Sequence, residues 1–505
     1  MPLSAELQAE VNAAWAQQDY AHGRDLLEKA SVDHPDDLHL RSCFAAAQGY
    51  CSRFESARIE IEKIMELSTP ARRSLRSGLL GIEWSRIGRP DLAEPLLRLA
   101  LESDKPPAPL FETLADCLER LKRLQEADAV LDDGFSRYPG HPGLLLVRAR
   151  VSRRLGNFEV TELALRQISK TPLASPLVKT RAAYELGHLR ESQGRYLEAY
   201  QAFTRAKIHQ REEAATLLPL WRGRNQLLKE SQLPGRSDFE KWHSEIDPDT
   251  SGKLAFLVGC PRSGTTLLER VLDAHPQLVT GSEIATFTCE VWMPFLRASG
   301  ASGNPVEILS SIDEWKLKGC RKRYWDLLPE ALEKPPNGRL VIDKNPSLLA
   351  ALPMIGRIFP DAKILMALRD PRAIAWSCFS QYLPVNSETV AYLDLATTFD
   401  QTATSLNGWI VLRDRLSAPW REVRYESVVA DLERETREVL DFLGLAWDEA
   451  VMSYHQNSNP VLSPSYAQAS RPVYADAVDR FRHYEEFFES HRAEWEPVAK
   501  TLGYD

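Results

Sequence analysis

Leu254-Ala-Phe-Leu-Val258-Gly259-Cys-Pro-Arg262-Ser-Gly264-Thr265-Thr266-Leu-Leu-Glu-Arg270 decides the fold of the second half of the chain. An unbroken apolar run, Leu254–Val258, predicts a strand buried on both faces, as in a parallel sheet. It enters a loop bounded by Gly259 and Gly264 and then a helix, so unpaired backbone N–H groups and the positive end of a helix dipole converge on one point. That arrangement is an anion cradle. Its spacing is GxxxxG followed by two hydroxyl residues, but Thr265 stands where a nucleoside triphosphatase needs lysine. The cation has moved into the loop as Arg262, and no acidic residue stands convincingly at a strand end to hold magnesium. Nucleoside triphosphate hydrolysis is disfavoured, whereas a phosphate ligand is still expected.

Downstream, Leu340–Ile342, Lys363–Leu368 and Glu422–Tyr425 read as further buried strands, with helical stretches near 265–274, 347–358, 371–382 and 428–443. Strands alternating with helices predict an α/β domain, a parallel sheet with helices on both faces and its ligands beyond the carboxyl ends of the strands. Upstream, residues 231–252 are rich in turn formers and read as a linker containing a short helix.

Before that linker the chain repeats itself. Gln18-Asp19-Tyr20, Ser52-Arg53-Phe54, Gly88-Arg89-Pro90, Lys122-Arg123-Leu124, Gly156-Asn157-Phe158 and Gly194-Arg195-Tyr196 recur at separations of 34, 36, 34, 34 and 38. Three residues after each triplet stands a small or nearly small side chain: Gly23, Ala57, Ala93, Ala127, Thr161 and Ala199. A turn followed by a small residue early in a second helix, at a period near 34, resembles the tetratricopeptide repeat. The expectation is an α-helical solenoid of about six helix pairs over residues 1–230, with a long curved face open to a protein or peptide partner.

Composition agrees with a soluble globular chain of more than one domain: 505 residues, 44% hydrophobic and 26% charged. A formal net charge of −9 argues against nucleic acid as a partner. The seven cysteines are odd in number and never spaced CxxC, so neither a disulfide framework nor a zinc site is expected. The first ten residues have no basic and apolar signal pattern, and no apolar run approaches ~20 residues. A cytoplasmic location without a membrane span is the expectation.

The second half resembles the PAPS-dependent sulfotransferases, most closely the tyrosylprotein branch. The likeness rests on Phe256–Leu267, on Leu272-Asp-Ala-His-Pro276, on Gly281-Ser-Glu283, on Asp343-Lys344-Asn345-Pro346 and on Ala367-Leu-Arg369-Asp-Pro-Arg372 with Ser377 following. Together with the repeats the chain is similar to bacterial repeat-bearing sulfotransferases, with a P-loop-like sulfotransferase domain over 253–505.

The resemblance implies a set of roles. Arg262, Ser263, Gly264, Thr265 and Thr266 would hold the 5′-phosphosulfate of PAPS, and Arg369 and Ser377 its 3′-phosphate. Glu283 would take the acceptor proton, with His275 as rival base; Lys344 and Arg262 would neutralise charge on the leaving oxygen. Tyr425 and, in a donor-capping loop around Arg471-Pro472-Val473, Ser465 and Arg480 would complete the nucleotide site. Arg372 reads as an exposed or structural cation. One departure stands out: the branch's further arginine four residues after Ser377 is Gln381 here, so some 3′-phosphate contacts must differ. No metal is implied, since a sulfuryl group carries less charge than a phosphoryl group and positioned side chains suffice.

Two other functions stay open on the sequence: a repeat scaffold with a degenerate nucleotide-binding domain, and a nucleotide kinase-like enzyme. Retention of Arg262, Glu283, Lys344, Arg369 and Ser377 argues against the first. The missing loop lysine argues against the second. The acceptor hydroxyl, on protein, carbohydrate or small phenol, and a homodimer are not decided by the sequence.

Overall fold

The computed structural model describes residues 4–16, 19–230, 233–245, 253–298, 305–456 and 476–504. Its first half is six antiparallel helix pairs: α1 (Ala5–Ala16) with α2 (Tyr20–Asp33), α3 (Leu38–Tyr50) with α4 (Phe54–Leu67), α5 (Pro70–Ile87) with α6 (Pro90–Leu101), α7 (Ala108–Arg120) with α8 (Leu124–Arg137), α9 (Pro142–Arg154) with α10 (Phe158–Lys170), and α11 (Pro176–Ser192) with α12 (Tyr196–Ala214). The third residue of every repeated triplet is the first residue of the second helix of its pair. The first residue of five triplets (Ser52, Gly88, Lys122, Gly156 and Gly194) takes a positive φ, between 59° and 94°. The chain leaves these five first helices through a left-handed residue, which favours glycine and is tolerated by serine and lysine here. The small residues after the turns are buried, Ala57, Ala93, Ala127, Thr161 and Ala199 with no exposed surface. At Gly23 a Cβ would meet the Trp15 indole at 2.4 Å, so the close approach of α1 and α2 requires a glycine.

Two more helices, α13 (Leu218–Glu230) and α14 (Arg236–Ser244), lead to a five-stranded, wholly parallel sheet. Its strands are β1 (Leu254–Gly259), β2 (Leu278–Ser282), β3 (Leu340–Lys344), β4 (Lys363–Leu368) and β5 (Trp420–Arg424), in the order β2-β3-β1-β4-β5. Side chains alternate faces along each strand. Leu254, Phe256, Val258, Ile364, Met366 and Leu368 enter one core together with Trp221, Phe239 and Trp242 of α13 and α14. Ala255, Leu257, Leu365 and Ala367 enter the other, beneath α15 (Thr265–Asp273) and helix Leu432–Leu443. Burial on both faces is why β1 and β4 read as unbroken apolar runs. Edge strand β2, Leu-Val-Thr-Gly-Ser, has no such run and was not expected from the sequence.

The helical half closes onto the α/β half at two places. Near its start, the Glu290 carboxylate is enclosed by Arg24, by Arg53 (2.8 Å) and by Arg323 (2.6 Å). Ser52, in the second repeat turn, accepts a hydrogen bond from the Ala285 N–H (2.9 Å). Near its end, Tyr196 and Tyr200 stack on His483 and Phe487 with ring centroids 4.0 and 3.8 Å apart, and Phe203 meets Trp376 edge-on.

Candidate active site

The sheet gathers the glycine loop, Glu283, Lys344, Arg369 and Tyr425 for one reason: each stands at the carboxyl end of a strand. The glycine loop follows β1, Glu283 follows β2, Lys344 ends β3, Arg369 follows β4 and Tyr425 follows β5. The order reverses at β1, whose neighbours β3 and β4 belong to opposite wings, and ligands of open α/β sheets gather at such a switch point.

Around the loop, Arg262 (φ 69°) and Gly264 (φ 100°) both adopt left-handed backbone. Gly264 has no alternative: a Cβ there would lie 2.6 Å from the Tyr425 ring. Thr265 and Thr266 open α15 and are buried. Ser263 is 1% exposed and its hydroxyl makes no hydrogen bond among the described residues, an unused donor inside the cradle. Arg262 Nε donates to Ser377 Oγ (2.9 Å). Arg369 Nη1 donates to the Arg262 carbonyl (3.1 Å), and its guanidinium lies 4.4 Å from the centre of the Tyr425 ring. Burial pushes the Arg262 guanidinium down to about 10, and the like charges of Arg369 and Arg480 push the same way. A cluster of cations held this close is a place where an anionic ligand is favourable.

On the other side of β1, Lys344 is wholly enclosed between two carboxylates, Glu269 Oε2 and Glu283 Oε1, each 3.0 Å from Nζ. Burial works to lower its pKa, but the two carboxylates outweigh it and hold the ammonium above the usual lysine value. Pairing with the adjacent Asp343 does not occur, because residues 343 and 344 face opposite sides of the sheet. Asp343 accepts instead from the Tyr324 hydroxyl (2.9 Å), and burial pushes its carboxyl up to about 7. Glu283 has φ 51°, its N–H donates to the Lys344 carbonyl (2.6 Å), and its side chain is 38% exposed. The one carboxylate of the trio that reaches solvent is therefore held by strained backbone against a buried cation.

Glu269 was missed by the sequence reading. Its only signal was a charged residue on the buried face of a short helix, beside Leu268, Val271 and Leu272. His275 is buried, with Nδ1 accepting from Gln277 N–H (3.1 Å) and Nε2 against the Ala446 carbonyl (2.9 Å). Both nitrogens are used in holding the helix end. Arg372 is a structural cation rather than an exposed one: it is buried, bidentate to Asp370 (3.0 and 2.7 Å) and packed on Phe481 and Trp495. Ser465 and the Arg471–Val473 segment lie outside the described residues. The Arg480 guanidinium bonds Glu191 of α11 (2.7 Å twice) and Ser380 (3.2 Å), three residues beyond Ser377. Gln381, at the departure from the tyrosylprotein pattern, offers its carbonyl to Lys207 Nζ of α12 (3.4 Å).

Residues 255–449, which hold the parallel sheet, the lysine-free glycine loop and most of this strand-end cluster, match the model of the sulfotransferase family. An uncharacterised protein of Aquifex aeolicus is 24% identical over 422 residues, 73% of this chain and 52% of its own length. The protein-tyrosine sulfotransferase 1 of Danio rerio is 26% identical over 237 residues, 45% of this chain and 65% of its own. The chain thus spans about half to two thirds of the length of these relatives. The solved sulfotransferase domain of a Synechococcus PCC 7002 olefin synthase aligns with 52% of this chain and 98% of its own at 22% identity, with a TM-score of 0.36. Among the described residues, no helix is long and apolar enough to cross a membrane.

Proposed function

We propose that the protein transfers a sulfuryl group from PAPS to a hydroxyl acceptor, and that a tyrosyl hydroxyl of a protein is that acceptor. One observation carries the reading: a cation set (Arg262, Arg369) with Ser377 on one side of the β1 loop, and a Lys344–Glu283 pair at the ends of the neighbouring strands. The unused Ser263 hydroxyl and the loop N–H groups fit the 5′-phosphate, and Arg369 with Ser377 fits the 3′-phosphate.

In the transfer, Glu283 accepts the acceptor proton as the acceptor oxygen forms its bond to sulfur. The bond from sulfur to the bridging oxygen of the 5′-phosphate breaks, and its electron pair leaves on that phosphate. Lys344 and Arg262 offset the charge growing on the leaving oxygen, in a site already shaped before reaction. The tyrosyl acceptor is supported by the relatives named protein-tyrosine sulfotransferase, of Danio rerio and of Gallus gallus. The curved face of the repeats would present the protein that carries it.

Calorimetric titration with 3′,5′-adenosine diphosphate and with ATP, followed by incubation with PAPS and a tyrosine-containing peptide library, tests both parts. Binding of the bisphosphate well above ATP, and a mass gain of one sulfate on tyrosine, is the expected result. Preference for ATP would overturn the donor assignment. Sulfation confined to carbohydrate or small phenols would overturn the acceptor.

A further inference from the structure

The salt bridge between Arg480 and Glu191 joins the last repeat to the phosphate side of the site. Glu191 is the next-to-last residue of α11, in the first helix of the sixth pair. Its two oxygens accept from Arg480 Nε and Nη2, both at 2.7 Å, and one accepts also from the Tyr484 hydroxyl (3.0 Å). Arg480 Nη2 donates in addition to Ser380 Oγ, one turn beyond Ser377 on the same helix run. The carboxylate is mostly buried, and it is held well below the usual range: burial opposes this, but Arg480 and His188 prevail. Stacked rings fix the frame around the pair: Tyr484 lies 3.7 Å from Trp376, the residue before Ser377, and Tyr196 of α12 lies on His483.

We infer that Glu191 is a positioning residue of the donor site, contributed by the repeat array, which orients Arg480 beside the 3′-phosphate pocket formed by Arg369 and Ser377. This rests on the PAPS reading above. A planar guanidinium gripped along one edge by a carboxylate cannot swing on its long stem, so its charge is presented at a fixed place. The same carboxylate offsets the mutual repulsion of Arg262, Arg369 and Arg480. The catalytic half alone therefore lacks part of its nucleotide site. Gln381 leaves the tyrosylprotein pattern one residue from Ser380, where the repeat helices make contact.

The test uses the full chain and two probes, 3′,5′-adenosine diphosphate and adenosine 5′-phosphosulfate, which lacks the 3′-phosphate. Glu191→Gln should weaken the bisphosphate about tenfold, the scale of one charge-assisted contact, and leave the phosphosulfate within twofold. Arg480→Gln should have the same selective effect. The Glu191→Gln/Arg480→Gln double variant leaves no buried charge alone, so it is measurable even where the single glutamate variant fails to fold. It should bind the bisphosphate as Arg480→Gln does. Equal loss for both probes, or a double variant weaker than Arg480→Gln by a further tenfold, overturns the inference, because Glu191 would then act on the fold generally. Failure of the unaltered protein to bind the bisphosphate at all overturns the PAPS reading itself, and the inference with it.

Discussion

Glu283 and Asp343 are carboxylates on neighbouring strands, and their surroundings assign them different work. Glu283 reaches solvent from a strained residue beside a buried ammonium. Glu283→Gln should lower the turnover rate by about 10²–10⁴, the usual contribution of a positioned base, with an unchanged dissociation constant for 3′,5′-adenosine diphosphate. His275→Ala, assayed beside it at saturating PAPS, should retain most of the rate and show its cost in thermal denaturation, since both ring nitrogens hold backbone. Asp343 is enclosed, and its carboxyl is raised to about 7. Between the ordinary carboxylate range and that value the folded chain holds a proton that the unfolded chain has released, so stability falls as pH rises through this window. Urea denaturation at pH 5 and pH 8 should show the unaltered protein losing roughly 2–4 kcal/mol that Asp343→Asn keeps. Arg262, Glu283 and Lys344 were legible because they sit in short motifs next to glycine, serine or proline. Glu269 and Glu191 were not, because a glutamate on a helix has no local mark that distinguishes a buried partner from water.

At the scale of the element, the loop after β1 depends on one residue's missing side chain. Gly264→Ala must fit a Cβ at φ 100° and 2.6 Å from Tyr425. It should cost about 1–3 kcal/mol of stability and lower affinity for 3′,5′-adenosine diphosphate at least tenfold, measured by denaturation and calorimetry. The elements readable beforehand were those in which one physical constraint repeats. The repeat turns were legible because the same left-handed exit recurs at five turns and the same small residue at six. The central strands β1 and β4 were legible because both their faces are covered. The edge strands were read worst, β2 not at all and β5 two residues late, since an edge needs few apolar residues and its pairing partner lies far along the chain.

Across the whole molecule, Glu290 ties the two halves together by charge. Its side chain has no exposed surface and answers three arginines, two of them from the repeats. Glu290→Gln leaves those cations underpaired, and removing one member of a buried ion cluster costs about 3–5 kcal/mol. The expected sign in calorimetry is that one cooperative transition splits into two, the repeats and the α/β half melting apart. The same contact carries a consequence for synthesis. Arg24 and Glu290 are 266 residues apart in the chain. At about 5–20 residues per second, the first repeats leave the ribosome roughly 15–50 seconds before their carboxylate exists. During that interval the nascent helical array carries Arg24 and Arg53 without the carboxylate that later joins them, and Arg24 has only its neighbour Asp25 (2.7 Å) to answer it among these contacts.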